Sequence, residues 1–186
     1  MSGFPTILFI NEAGKVEDTI GSYMPPSGFS QKMEEALNVH DFPTLLSHYK
    51  ANPTDVAAVG KLIACYTAKS DISQATTMLA QLEKLDPTNS KGLMAKSYNS
   101  VGDYYQGKNS FDKAISYFRK AVKTGKLPYD IAYAHISTGE CYKSENKRPQ
   151  ALAEFKATMA TPHCPPDFTM MAQSSIAELV RSGGTR

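Results

Sequence analysis

The sequence predicts a mainly α protein: an α-α superhelix of about three helical hairpins plus a capping helix, preceded by a β-hairpin and one further helix. Three observations carry this. The composition changes near residue 40, from β-branched and aromatic residues between turn signals to the Ala, Leu, Tyr, Lys and Gln that dominate afterwards. An apolar face spaced i, i+4, i+7 recurs as Ala75-Leu79-Leu82, Ala114-Phe118-Ala121 and Ala151-Phe155-Thr158. Nine residues before each of these alanines stands a tyrosine, at Tyr66, Tyr105 and Tyr142.

The first elements follow in chain order. Phe4 to Ile10 is apolar on both faces and reads as a strand made for the interior of a sheet. Asn11 to Lys15 is a turn and Val16 to Ile20 a second strand, so the pair is a hairpin. Gly21 to Gly28 is a loop stiffened by Pro25 and Pro26. Ser27 is placed to cap a helix whose apolar face is Phe29, Met33, Ala36 and Leu37. A short helix from Phe42 to Ala51 carries Leu45, Leu46 and Tyr49 before Pro53 closes it.

The repeats come next. Upstream of each tyrosine lies a second helical face: Val59-Leu62-Ile63-Tyr66, Tyr98-Val101-Gly102-Tyr105 and His135-Thr138-Gly139-Tyr142. The period is 39 residues from Ala75 to Ala114 and 37 from Ala114 to Ala151. Each unit is a helical hairpin that cannot bury its apolar face alone and must stack on its neighbours. The units fall at about 56–89, 95–128 and 132–165, and the amphipathic stretch 166–181 caps the stack. Two domains are expected, 1–40 and 41–182, with Gly183 to Arg186 a loose tail.

At these residues the chain resembles the tetratricopeptide repeat family. The aromatic, large, small, tyrosine order is clearest in Tyr98, Val101, Gly102 and Tyr105 with Ala114, Phe118 and Ala121. His135 stands where an aromatic is usual and Ile63 where a small residue is usual. Both spacings exceed the family's 34 residues, so helices or loops are longer than consensus. The resemblance implies a concave groove lined by each first helix, taking a protein or peptide ligand. Its groove positions fall on Ala57, Gly60, Ala64 and Thr67, with Lys61 beside them, in unit one. They fall on Lys96, Asn99, Asp103 and Gln106 in unit two, and on Tyr133, Ile136, Glu140 and Lys143 in unit three. The subclass that clamps C-terminal carboxylates is not matched. Gly60 and Ala64 replace its Lys and Asn, and Asp103 and Glu140 would repel the ligand.

Residues 1–37 resemble the C-terminal half of a thioredoxin fold, through Phe4-Pro5-Thr6, the strand to Ile10, the Gly14 turn, Gly21 and the helix from Pro26 to Leu37. The resemblance makes Pro5 the match to that family's cis-proline. The half of the fold that carries the C-x-x-C is absent, so the chain is expected to be a truncated or partial form. Its uncovered strands favour self-association through residues 4–20. The competing reading is a thiol-disulfide oxidoreductase or redox chaperone whose active half lies elsewhere. Repeat proteins joined to such modules resemble exported bacterial proteins, and the compartment is left open.

Chemistry is sparse. The 20 Lys and Arg against 18 Asp and Glu exclude a dedicated nucleic-acid or membrane-surface protein, and 41% hydrophobic residues fit an ordinary soluble globule. No signal peptide or membrane span is visible. The expected function is non-enzymatic, with no catalytic residues and no cofactor. His40, His48, His135 and His163 lack paired metal-ligand spacing, so no metal is expected. Cys65 and Cys141 occupy equivalent places before the unit tyrosines and read as small buried hydrophobes, while Cys164 reads as an exposed thiol.

Overall fold

The protein is described from a computed structural model, in which residues 7–10, 16–20, 29, 33 and 42–183 are the described residues. Strands β1 (Ile7–Ile10) and β2 (Val16–Ile20) form a two-stranded antiparallel sheet that pairs Ile7 with Ile20 and Leu8 with Thr19, with an irregularity between Phe9 and Ile10. Of this hairpin Ile20 is buried, whereas Ile7, Leu8, Ile10 and Val16 are exposed. The expectation of a strand inside a sheet is therefore corrected among the described residues: one neighbour pairs with β1, and Ile7, Leu8 and Ile10 meet solvent. Pro5 lies outside the described residues, and so does most of the helix expected from Pro26 to Leu37, of which Phe29 and Met33 are helical.

Eight helices follow among the described residues: α1 (Phe42–Ala51), α2 (Val56–Ala68), α3 (Ile72–Leu85), α4 (Met94–Gly107), α5 (Phe111–Thr124), α6 (Pro128–Ser144), α7 (Arg148–Ala160) and α8 (Pro166–Gly183). They pair as α2/α3, α4/α5 and α6/α7, with α1 before the first pair and α8 after the last. The first helices of successive units, α2, α4, α6 and α8, pack on one another. The second helices pack on first helices instead, so the first helices line the inner side of the superhelix and the second helices its outer side.

Local signals explain the helix starts. Asp55 precedes α2 and accepts from the backbone N–H of Ala57 and Ala58, while Asp71 accepts from Gln74 ahead of α3. Asp55 also bonds His48 Nε2 at 2.8 Å, and that contact holds its carboxyl below the usual range. Tyr49 donates to Gln81, and Gln81 donates to the Pro53 carbonyl, which anchors α1 on α3.

Each first helix turns into its second through one left-handed residue: Ser70 at φ 60°, Asn109 at 55° and Asn146 at 58°. The following amide donates to the carbonyl of the unit tyrosine in every case: Asp71 to Tyr66, Ser110 to Tyr105 and Lys147 to Tyr142. Asn tolerates this conformation better than Ser. Ser70→Asn is therefore expected to stabilise the protein by up to about 1 kcal/mol in urea unfolding, and no gain would mean that the turn carries no strain.

The extra length of the repeat lies in the connection 86–93 and in α6, which has 17 residues. In that connection Asp86 accepts from the backbone N–H of Lys91 at 2.9 Å and of Ser90 at 2.6 Å. Asn89 caps α4 through the Met94 N–H and donates to the Thr124 carbonyl at the end of α5. The Lys91 N–H foremost, and then that of Ser90, hold the Asp86 carboxyl below its ordinary value. A depressed folded pKa contributes stability above the unfolded value of about 3.9, and that contribution is lost as pH falls through the folded value. Melting temperature should thus fall below pH about 4 by less in Asp86→Asn than in the parent. Equal acid slopes would show that Asp86 contributes nothing.

Two buried clusters form the core. The larger runs through α2 to α6 and contains Leu62, Leu82, Val101 and Phe118; the smaller joins α6, α7 and α8 through Phe155, Phe168 and Leu179. A Cβ added at Gly102 would stand 2.5 Å from Phe118 Cε1, and one at Gly139 would stand 2.5 Å from Phe155 Cε1. Both glycines let a phenyl ring of the second helix rest on the backbone of the first.

Candidate protein-binding groove

The inner face is built from α2, α4, α6 and α8, and its rungs differ along the stack. On α2, Ala57 and Lys61 are exposed. The Thr67 hydroxyl turns back to its own helix, donating to the Ile63 and Ala64 carbonyls. Gly60 lies against Leu93, where an added Cβ would come to 3.2 Å. This end of the face is small and nearly apolar, apart from Lys61.

On α4, Lys96 is exposed, Asp103 and Gln106 are half-buried, and Asn99 is buried. Asn99 Nδ2 donates to the Asp130 carbonyl at 3.0 Å, and its Oδ1 has no donor. Asp103 Oδ1 accepts from the Tyr133 hydroxyl at 2.9 Å. Burial, then Asp103, raises the Tyr133 phenol well above its ordinary value, so this hydroxyl stays a donor. Asp130 is buried, and desolvation raises its carboxyl while the Lys96 charge opposes the shift.

On α6, Ile136 is buried and Tyr133, Glu140 and Lys143 are half-buried. Tyr129 stacks on Tyr133 with centroids 6.4 Å apart, and Phe168 meets both edge-on at 5.1 and 6.1 Å. Glu140 accepts from the Ser175 hydroxyl at 2.8 Å. Lys143 reaches Glu178 at 2.6 Å and Glu140 at 3.6 Å, and the hydrogen bond to Glu178 foremost raises its ammonium pKa.

The expected groove residues thus divide by place. Lys61 and Lys96 are exposed. Asp103, Tyr133, Glu140 and Lys143 are half-buried and tie one unit to the next, and Asn99 and Ile136 are buried. Sequence reasoning named both ends of the Asp103–Tyr133 tie and one end of the others, missing Tyr129, Asp130, Phe168, Ser175 and Glu178. One signal was available: Tyr129 and Tyr133 at i, i+4 extend the inner face of α6 one turn upstream.

His135, expected to pack as an aromatic, instead joins its Nδ1 to Glu154 of α7 at 2.8 Å. Cys65 and Cys141 are buried, and desolvation pushes their thiols up to about 11 and about 12. Cys164 is half-buried rather than exposed, because Thr169 Oγ1 covers its sulfur at 3.6 Å. Among the described residues, no group of three His, Cys, Asp or Glu is placed to hold a metal, and no helix is long and apolar enough to cross a membrane.

No model of a known family matches the chain, and no curated protein matches it. Solved structures do. The crystal structure of MamA is similar with a TM-score of 0.60 at 22% identity, covering 89% of this chain and 88% of that one. The N-terminal domain of stress-induced protein-1 (STI-1) from C. elegans is similar with a TM-score of 0.54 at 21% identity, covering 65% of this chain and 94% of that one. Both neighbours are tetratricopeptide-repeat superhelices. With helices stacked in pairs and first helices lining the inner side, the helical part of this chain has a tetratricopeptide-type fold.

Proposed function

We propose that the chain is a non-catalytic scaffold that binds a protein or peptide along the inner face of its superhelix. The single observation that carries this is the unbroken packing of α2, α4, α6 and α8; Lys61, Lys96, Gln106, Tyr133 and Lys143 are read as the lining of that face. Lys61 and Lys96 supply cations for ligand carboxylates. Asp103 and Glu140 are engaged by Tyr133 and Ser175, so they act as polar acceptors more than as bare charges.

In this reading residues 1–40 are a thioredoxin-like remnant, supported by the antiparallel pairing of β1 with β2. The exposed apolar residues Ile7, Leu8 and Ile10 favour self-association through residues 4–20. The redox alternative draws no support from Cys65 and Cys141, whose burial keeps them protonated.

Selection of displayed random peptides on the full chain tests the groove. A selected peptide should lose about tenfold in affinity, read by fluorescence anisotropy, on Lys96→Glu, with helical content unchanged. Failure to enrich any peptide, or peptides indifferent to Lys61→Glu and Lys96→Glu alike, would defeat the proposal.

A further inference from the structure

The near-neutral total hides a segregation of charge. Residues 91–127 hold eight Lys and Arg against two carboxylates, Asp103 and Asp112, whereas residues 1–41 hold six carboxylates against two lysines. All eight of these cations are exposed. Lys113, Lys120 and Lys123 lie at i, i+7, i+10 on α5, an outer helix, and span about 15 Å of its solvent side. None of the three makes an ion pair among the described residues. Lys113 rests over the Tyr105 ring at 5.3 Å, and Lys120 over Tyr98 and Tyr117 at 5.4 and 5.3 Å, so their heads are held at fixed places.

We propose that this outer face of the second unit docks the acidic N-terminal segment, residues 12–41, of a second copy of the chain. Charge complementarity selects the occupant: residues 1–41 carry an excess of four negative charges, and Lys113, Lys120 and Lys123 set three positive charges on this side of α5. Lys113, Lys120 and Lys123 are exposed among the described residues, and docking of the chain's own segment is the competing outcome, which a monomer at every salt would report. Reciprocal exchange of the two segments closes the assembly as a dimer, where a one-way contact would run on into a filament. A single-stranded nucleic acid fits less well. It needs open aromatic faces on which bases stack, and here the Tyr98, Tyr105 and Tyr117 rings already carry lysines. This contact is separate from the inner groove and from edge pairing of the hairpin.

Light scattering of the full chain carrying Leu8→Ser and Ile10→Ser, which removes the apolar hairpin contact proposed above, tests it at low and high salt. Between about 0.01 M and 1 M ionic strength the screening length falls from roughly 30 Å to roughly 3 Å, which weakens a charge-driven contact and spares an apolar one. The expected result is a two-chain mass at low salt that falls to one chain at high salt. Lys113→Glu with Lys120→Glu and Lys123→Glu should raise the dissociation constant about tenfold or more. Adding Glu34→Lys and Glu35→Lys to the same chain should restore the low-salt dimer, which a merely misfolded variant could not do. A monomer at every salt overturns the inference, and so does a dimer that persists at high salt or a charge reversal without rescue. Binding of a single-stranded oligonucleotide that the same reversal abolishes overturns it too, in favour of a nucleic-acid face.

Discussion

Phe118→Ala is expected to lower the stability of the helical array by about 3–5 kcal/mol, a large part of the roughly 5–15 kcal/mol that a domain holds in total. The ring is fully buried, and one of its edges lies on Gly102 while the rest belongs to the larger core cluster. No neighbouring side chain can collapse into the space without moving α4 against α5. At this chain length each kcal/mol displaces the melting temperature by about 2–4 °C, so a fall of roughly 6–20 °C should be seen by circular dichroism.

Phe155→Ala removes the equivalent ring, but from the smaller cluster next to the end of the stack. Stability in a repeat array is nearly a sum of units and nearest-neighbour interfaces. That variant should therefore lose α7 and α8 first, in a separate early transition, while Phe118→Ala acts on the whole array. Melts of both variants that overlay the parent would show that neither ring joins its helix pair.

The interior of each unit was legible because it is local. The i, i+4, i+7 face recurs in all three hairpins, and a glycine sixteen residues before a phenylalanine recurs in the second and third. Gly102 with Phe118 and Gly139 with Phe155 could be paired from spacing alone. The left-handed turn residues Ser70, Asn109 and Asn146 recur at the same 39 and 37 residues, and were readable in principle.

The ties across units were not legible. Asn99 meets Asp130, Asp103 meets Tyr133, and Glu140 and Lys143 meet Ser175 and Glu178, each 30 to 35 residues away. Which side chains face one another there depends on how far one unit rotates over the next, and a sequence period does not encode that angle. For the same reason the groove positions could be numbered from the family resemblance, while their division into open, shared and buried residues required coordinates. The hairpin was readable from its alternating turn and strand signals. Its exposure was not, since a doubly apolar strand reads as interior wherever it lies.

Gly102→Ala should change sign with its neighbour. On the parent, the new Cβ would stand 2.5 Å from Phe118 Cε1, 2.8 Å from Cδ1 and 2.9 Å from Cζ. Phe118 is fully buried and its ring cannot swing aside, so the substitution should cost about 1–3 kcal/mol of overpacking. Alanine brings an opposing gain of about 1 kcal/mol, because glycine is a poor residue within a helix. In the parent the clash outweighs that gain.

Phe118→Leu removes Cε1 and Cζ, the atoms at 2.5 and 2.9 Å, while keeping an apolar side chain that lets the array fold. In that background Gly102→Ala should be neutral or stabilising by up to about 1 kcal/mol, since the helix gain remains and most of the clash is gone. Urea unfolding of the four proteins in this cycle should give a coupling of about 1–3 kcal/mol, well beyond the roughly 0.5 kcal/mol within which independent sites add. Additive effects would mean that ring and backbone do not touch in solution, and that α4 and α5 meet at another register.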